Sequence, residues 1–100
     1  MKYNEYKINT IVWLYPSMAG WHFVTIPEDV SDDINHQFGD RKRGWGSLPV
    51  KATIGKTTWE TSIFPDKKTN TYLLPVKKGV RKKEYIKADT NVLLVLEIKA

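Results

Sequence analysis

The 100-residue sequence predicts a mainly β protein, a small closed six-stranded β-barrel with one short α-helix and a helical turn. Six segments carry strand patterns, and most of them alternate apolar and polar residues with a period of two, as strands that bury one face do. Four tryptophans, three of them at strand-like intervals, point to an aromatic-rich barrel. Closing the strands into a barrel also removes the exposed edges that an open sheet would leave.

The first two strands are predicted to form a hairpin. Alternation runs through residues 6–14, stops at a five-residue loop at 16–20, and resumes at residues 21–26. Trp21 lies within the alternating pattern, so we expect its ring to pack in the core, as we expect of Trp59 in a later strand.

A short helix is predicted after the second strand, because the period of the apolar residues changes there. Val30, Ile34 and Phe38 recur every four residues. Acidic residues occupy the first turn, where the helix dipole favours negative charge, and Gly39 can cap the end.

A second hairpin is predicted after a polar, glycine-containing loop at residues 40–47. Strand patterns occur at residues 50–54 and 57–64, on either side of the turn at Gly55. Both strands alternate with one apolar face, so they extend the same barrel.

The last part of the chain predicts one short strand, the helical turn and a final strand. The short strand at residues 72–76 contains Pro75, which suits a strand end or an edge. Residues 77–85 can form one or two helical turns. Residues 91–98 are apolar on nearly both faces, so we expect a central strand buried on both sides.

Length and composition favour a single domain over residues 1–100, since this length supports one core but not two. No segment approaches the roughly 18 apolar residues of a membrane span. The chain has no cysteine and no apolar signal-peptide segment at its N-terminus. We therefore expect a cytoplasmic protein with no membrane partner.

The net charge of +5 is unevenly distributed. Residues 1–40 hold two basic and six acidic side chains, whereas residues 41–100 hold fourteen basic and five acidic ones. This asymmetry predicts a negative and a positive side of the barrel. A positive side attracts phosphates and other anions.

A basic segment at residues 77–87 is the first candidate for a binding site. It carries six positive charges against Glu84 alone, and in a helix Lys77 and Arg81 would share one face. Such a fork suits phosphate or nucleic acid, because Arg offers a bidentate donor. The alternative is a solvated turn in which Arg81 binds a structural carboxylate or carbonyl.

The loop around Trp45 is the second candidate, because this residue lies between two glycines and next to three cations. Aromatic and basic residues together form the platforms that bind single-stranded nucleic acid. We nevertheless expect the ring to cover the barrel as a lid, since large aromatic residues are mostly buried. The hypothetical ligand-binding residues are Arg41, Lys42, Arg43, Trp45, Lys77, Arg81 and Lys82.

Catalytic and metal sites are weakly supported. Neither His22 nor His36 lies in a nucleophile motif, so a pocket enzyme that uses His22 near Trp59 and Glu60 is the least supported alternative. Four helical residues are spaced as i, i+4 pairs, but an acidic first turn stabilises a helix without a metal and the ligand set is incomplete. These four residues are Asp29, Asp32, Asp33 and His36. We expect no metal and no cofactor.

Five sequence blocks, in order, cover nearly the whole chain and resemble the bacterial DUF1905 family of domains of unknown function. The blocks are Trp21–Pro27, Gly44–Ser47, Trp59–Pro65, Tyr72–Lys77 and Val80–Lys82. The resemblance implies a small closed barrel similar to the double-split barrel of some antitoxins and transition-state regulators. It offers no established catalytic residues.

One departure from that family lies before the last strand, where such domains usually have a Gly-Asp turn. This chain has Ala88 in place of the glycine, and alanine tolerates a positive φ poorly. Asn91 could adopt the left-handed conformation instead.

Together these features favour a non-catalytic binding module whose basic surface holds an anionic ligand or nucleic acid. The alternative is a protein–protein interaction module, a homodimer whose barrel is completed by a second copy, as in the swapped-dimer barrels that the resemblance implies.

Overall fold

The structure, a computed structural model, describes residues 3–17 and 20–100, so Met18 and Ala19 of the predicted loop and the first two residues lie outside it. The strands are β1 (Glu5–Leu14), β2 (His22–Ile26), β3 (Leu48–Ile54), β4 (Thr57–Asp66), β5 (Thr71–Pro75) and β6 (Asn91–Ile98). The helices are α1 (Glu28–Phe38) and the short α2 (Lys78–Lys83), with 3₁₀ turns at Gly39–Arg41 and Gly44–Gly46. The predicted six strands, helix and helical turn are confirmed.

The strands close into an antiparallel barrel in the order β1-β2-β5-β4-β3-β6, which confirms the predicted fold class. β1 and β4 each change partner along their length. Residues 5–11 of β1 pair with β6 and residues 12–14 with β2, while residues 57–63 of β4 pair with β3 and residues 64–66 with β5. Each long strand therefore joins two sheets, and a gap opens beside it where the partner changes.

The barrel consists of two topologically equivalent units, β1–β2–α1–β3 and β4–β5–α2–β6, because exchanging their strands leaves the strand order of the barrel unchanged. When the helices are aligned on their first residues, the pair Trp13–Phe23 of the first hairpin corresponds to Phe64–Leu73 of the second. In both units the long first strand pairs with its own short second strand and with a strand of the other unit. α1 and α2 therefore occupy equivalent places.

The core is built from the inward face of every strand and from one face of each helix. Trp59 is buried there, as predicted, and α2 contributes Val80 while the preceding loop contributes Val76. Fully burying an aliphatic side chain of this kind is worth about 1.5–3 kcal/mol. Over residues 3–17 and 20–100, no helix has the length and apolar character needed to cross a membrane.

Two predictions about burial are wrong, and both concern the outer face of the barrel. Trp21 precedes β2, is 48% exposed, and stacks on Phe23 at 5.8 Å between ring centroids. Val24 and Ile26, on the opposite face, are the residues that enter the core. Leu93 of β6 is 53% exposed, so β6 is not buried on both sides along its whole length.

The turn before β6 also differs from the expectation. Asp89, with φ of 70°, adopts the left-handed conformation, whereas Asn91 is the first residue of β6. Aspartate tolerates this conformation better than alanine does. The Asp89 N–H donates to the Val12 carbonyl at 2.7 Å, which ties the turn to β1.

Candidate functional site

The structure divides the predicted ligand-binding residues between two cavities. The first, which we call the α2 groove, has a volume of about 610 Å³ and is lined by Trp21, His22, Phe64, Lys77, Lys78 and Arg81, among others. The second, the Trp45 cavity, has a volume of about 310 Å³ and is lined by Lys42, Trp45, Asp66, Lys67, Asn70 and Tyr72, among others. Arg41, Arg43 and Lys82 line neither cavity.

The α2 groove lies in the gap that β4 leaves when it changes partner. Thr61 of β4 lines one side, and Pro75 and Val76, where β5 ends, line the other. α2 follows with Val80 buried, so its polar residues are turned outward. The barrel topology therefore determines where the α2 groove opens and which face of α2 is turned to solvent.

The apolar wall of the α2 groove consists of two partly exposed aromatic rings, since Trp21 is 48% and Phe64 is 38% exposed. Trp21 rests on Phe23, whose ring lies 5.4 Å from Trp13. The indole N–H of Trp13 donates to Thr25 Oγ1 at 3.0 Å. Trp21 is therefore the outer member of a packed aromatic cluster rather than a free side chain.

Arg81 donates to backbone carbonyls, which is the kind of contact that the structural alternative predicted for this residue. Its Nε donates to the Val76 carbonyl at 3.0 Å and its Nη2 to the Gly20 carbonyl at 3.3 Å. Ser31, the fourth residue of α1 as Arg81 is the fourth of α2, likewise donates to the Ile26 carbonyl at 3.0 Å. These bonds hold the guanidinium at the edge of the α2 groove.

The lysine and arginine side chains that line the α2 groove are all positively charged. Lys77 and Lys78 are exposed, and the described lining residues include no carboxylate. Sequence reasoning named Lys77 and Arg81 as binding residues and placed Lys78 in the same basic segment, but it missed Trp21 and Phe64 as the lining. The apolar residues on the outer faces of β2 and β4, opposite the core residues, are the signal that could have identified the two rings.

Trp45 is 92% exposed, so the prediction that its ring forms a lid is wrong. Its φ of 63° lies in the left-handed region. The loop itself is held by hydrogen bonds, from the Gly46 N–H to the Arg43 carbonyl at 2.9 Å and from Ser47 Oγ to the Gly44 carbonyl at 2.8 Å. The ring is exposed on an ordered backbone.

The other lining residues of the Trp45 cavity carry both signs of charge. The Lys42 ammonium lies 5.5 Å from the centroid of Tyr72, whose hydroxyl donates to Asn35 Oδ1 at 2.5 Å. Asp66 accepts a hydrogen bond from the Lys68 N–H at 3.1 Å. Arg41 is engaged elsewhere, since its Nη1 donates to the Ala100 carbonyl at 3.3 Å.

The residues considered for catalysis are separated in the fold. His22 lines the α2 groove, with its Nδ1 3.0 Å from the Gly20 carbonyl oxygen. Trp59 is buried in the core, and Glu60, the next residue of β4, is exposed. The structure therefore does not bring the three side chains into one pocket.

One acidic side chain of α1, that of Asp33, has structural contacts. Asp33 accepts hydrogen bonds from the Tyr6 hydroxyl at 2.5 Å and from Gln37 Nε2 at 2.8 Å. The bond from Tyr6 lowers the pKa of Asp33, while burial and then this bond raise the pKa of Tyr6 above its usual range. Within residues 3–17 and 20–100, no three histidine or acidic side chains are grouped as metal ligands.

Comparison with known protein families gives one match. Residues 9–96 match the family described as Domain of unknown function (DUF1905), so the match covers most of the chain. No curated protein matches the chain. The family that five sequence blocks predicted is thus confirmed, and its description assigns no ligand or activity.

Proposed function

We propose that this chain, which belongs to the DUF1905 family of domains of unknown function, is a non-catalytic binding module. Its α2 groove would hold one nucleotide unit, an aromatic base joined to a phosphate. The observation that carries the proposal is the shared groove, where Trp21 and Phe64 lie beside Lys77 and Lys78. An aromatic wall next to cations is the combination that binds bases and phosphates together.

The aromatic part of the ligand is argued from Trp21 and Phe64. Both rings leave a large apolar area in contact with water, although burying such a ring fully would be worth about 1.5–3 kcal/mol. A base stacked on an aromatic side chain recovers about 1–3 kcal/mol and needs no specific hydrogen bond. The packed aromatic cluster behind Trp21 keeps the ring in place for such stacking.

The anionic part is argued from the three cations. Lys77 and Lys78 provide mobile point charges, and Arg81 provides a guanidinium whose plane is set by two carbonyl bonds. Because the described lining contains no carboxylate, no neighbouring anion competes for these donors within the α2 groove. Phosphate contacts of this kind weaken as salt is added, since binding releases counterions.

Fluorescence anisotropy of labelled mononucleotides and oligonucleotides, titrated at several salt concentrations, tests the proposal. The double variant Lys77→Ala, Lys78→Ala should bind oligonucleotides more weakly and lower the salt slope by about 0.7, the value for one phosphate contact on a single strand. Trp21→Ala should weaken binding without changing the slope.

The matched control is Lys7→Ala, Lys56→Ala, which removes the same charge from two exposed lysines outside both cavities. We expect it to retain the wild-type slope and most of the affinity. Equal losses in the two double variants would mean that net charge alone attracts the ligand, and the proposed site would be abandoned.

Self-association is a second candidate with one observation in its favour. Ile11 and Leu93 are each more than half exposed, and they are diagonal neighbours on the outer face of β1 and β6. The six strands of one chain already close the barrel, so a second copy is not needed to complete it. A monomeric mass at micromolar concentration in light scattering would remove this candidate.

A further inference from the structure

We infer that the ligand is a single strand of nucleic acid that extends from the α2 groove along the β4–β5 hairpin to the Trp45 cavity. Trp45 would stack a second base there. This inference rests on the proposed function, since it assumes that the α2 groove binds one nucleotide unit.

The two cavities share the β4–β5 hairpin. Phe64 lines the α2 groove, and the next residue, Pro65, lines the Trp45 cavity. On β5, Thr71 lines the Trp45 cavity and Pro75 lines the α2 groove, so on this strand the two linings lie four residues apart. At about 3.3 Å per residue this separation is about 13 Å. On β4 the linings adjoin, so one strand of several nucleotides can pass from one cavity to the other.

The exposed ring of Trp45 lies beside a cavity that cations line, and this position favours a stacking partner outside the chain. A left-handed conformation costs a residue other than glycine roughly 1–2 kcal/mol, and the nearly complete exposure of this ring provides no burial to offset the cost. Hydrogen bonds from Gly46 and Ser47 hold the loop backbone, which places the exposed ring beside the cavity. A ring in this state is ready to stack on a base.

The cations of the Trp45 cavity fit the same ligand. Lys42 and Lys67 line it, and the exposed Arg43 lies two residues before Trp45. Asp66 is the one carboxylate among the described lining residues, and it already accepts the Lys68 N–H. Phosphates on either side of a stacked base would therefore meet a net positive surface.

A single strand fits these surfaces better than a duplex or an acidic peptide. A duplex keeps its base faces stacked within the helix, so Trp21, Phe64 and Trp45 could not reach them. An acidic peptide would satisfy the lysines, but its carboxylate side chains have no ring to stack on three exposed aromatic residues. Unpaired bases alternating with phosphates match both features.

A length series of labelled oligothymidylates tests the inference, with strands of about two, four and eight nucleotides around the smallest site size of about four. Affinity should rise steeply until the strand spans both cavities. Trp45→Ala should leave the affinity for the shortest strand unchanged and lower that for the longest about tenfold, because one stacked base contributes about 1–3 kcal/mol. Trp21→Ala should weaken every length.

Tyr85→Ala is the matched control, because Tyr85 is 90% exposed, has a φ of 56°, and lines neither cavity. It should leave all affinities unchanged. If Trp45→Ala has no effect on long strands while Trp21→Ala still weakens mononucleotides, the inference fails and the proposed function stands. If neither mononucleotides nor strands bind, both fail. Duplex binding as tight as single-strand binding would also overturn the inference.

Discussion

The two helices occupy equivalent places in the barrel but present opposite surfaces. α1 has 11 residues and begins with Glu28 and Asp29, whereas α2 has six residues and begins with Lys78. The third residue of each helix packs against the core. Val80 of α2 is fully buried, whereas Val30 of α1 is half-buried. The two helices therefore share a residue that packs against the core and differ in the charge of their exposed residues.

In the two units, different side chains make hydrogen bonds at equivalent places. The fourth residue of each helix, Ser31 or Arg81, donates to a carbonyl at the end of the preceding strand. The first strand of each unit also holds the helix, through Tyr6 and Asp33 in one unit and through Thr57 and Glu84 in the other, the latter at 2.6 Å. Different residues thus meet the same structural requirement.

The cavities differ because of one pair of equivalent positions, Tyr72 and His22. Tyr72 is fully buried, reaches α1, and donates to Asn35. His22 is only half-buried, and its ring contacts the nearby Gly20 carbonyl. The large Tyr72 ring therefore packs into the core and bonds to α1, while the smaller His22 ring stays at the wall of the α2 groove.

Replacing the large ring should have the greatest effect. Tyr72→Ala should lower the free energy of unfolding by about 3–5 kcal/mol, as for other large aromatic truncations in a core. Tyr72→Phe, which loses only the bond to Asn35, should cost about 1 kcal/mol. Urea denaturation measures both. If Tyr72→Ala lowers the free energy of unfolding less than Tyr72→Phe does, the ring does not fill the space beside α1.

The turn that faces α2 should give the next largest effect. Gly55 has a φ of 60°, and a Cβ there would lie far inside van der Waals contact with Glu84 Oε1. Gly55→Ala should therefore cost about 2 kcal/mol, from left-handed strain and from displacement of Glu84 from Thr57. Urea denaturation gives this cost directly.

Gly79→Ala is the control for the turn variant. Gly79 lies in α2, where an added Cβ meets no atom within 4 Å and no positive φ is required. Alanine there should be neutral or stabilising, by up to about 1 kcal/mol. Equal destabilisation by both variants would show that the conformation of Gly55 is not what the turn depends on.

The elements of the fold could be predicted from sequence because they depend on local periodicity. A period of two identifies a strand but does not say which face is inside, and this is why the exposure of Trp21 and Leu93 was missed. In β2 both faces are apolar, so the inward choice of Val24 and Ile26 depends on the closed barrel.

The candidate site was predicted only in part, for a related reason. The sequence identified cations at Lys77 and Arg81, which lie only four residues apart along the chain. The contribution of Trp21 and Phe64 depends on where β4 changes its partner from β3 to β5, a long-range feature of the pairing. The positive φ of Trp45 could not be predicted either, because left-handed residues other than glycine are uncommon.

The contact between β1 and α1 should give a smaller, pH-dependent effect. Tyr6→Phe removes the hydrogen bond that lowers the pKa of Asp33, so the variant should be less stable than the wild type at pH 7. The lowered pKa means that this stabilisation is present above the unfolded pKa of the carboxyl and is lost as pH falls through the folded value. The difference should therefore shrink in acid.

Urea denaturation of both proteins at pH 7 and at several acidic pH values checks this dependence. Tyr15→Phe is the control, since it removes a hydroxyl from the aromatic cluster rather than from the contact with α1. Its effect should not depend on pH in the acidic range. A constant difference between wild type and Tyr6→Phe would show that the hydroxyl acts through packing and not through the charge of Asp33.

The C-termini of the two helices differ clearly in backbone conformation, and changes there should have the smallest effect on stability. α1 ends at Gly39, whose φ of −60° any residue can adopt, whereas α2 is followed by Tyr85 with φ of 56°. The Ile86 N–H donates to the Arg81 carbonyl at 2.8 Å, so Tyr85 occupies the left-handed position of a Schellman motif that favours glycine. Tyr85→Gly should stabilise the protein by about 1 kcal/mol, because the exposed ring contributes little burial. Gly39→Ala should not destabilise it. A loss of stability in Tyr85→Gly, measured by urea denaturation, would show that the Tyr85 ring makes contacts that outweigh the backbone strain.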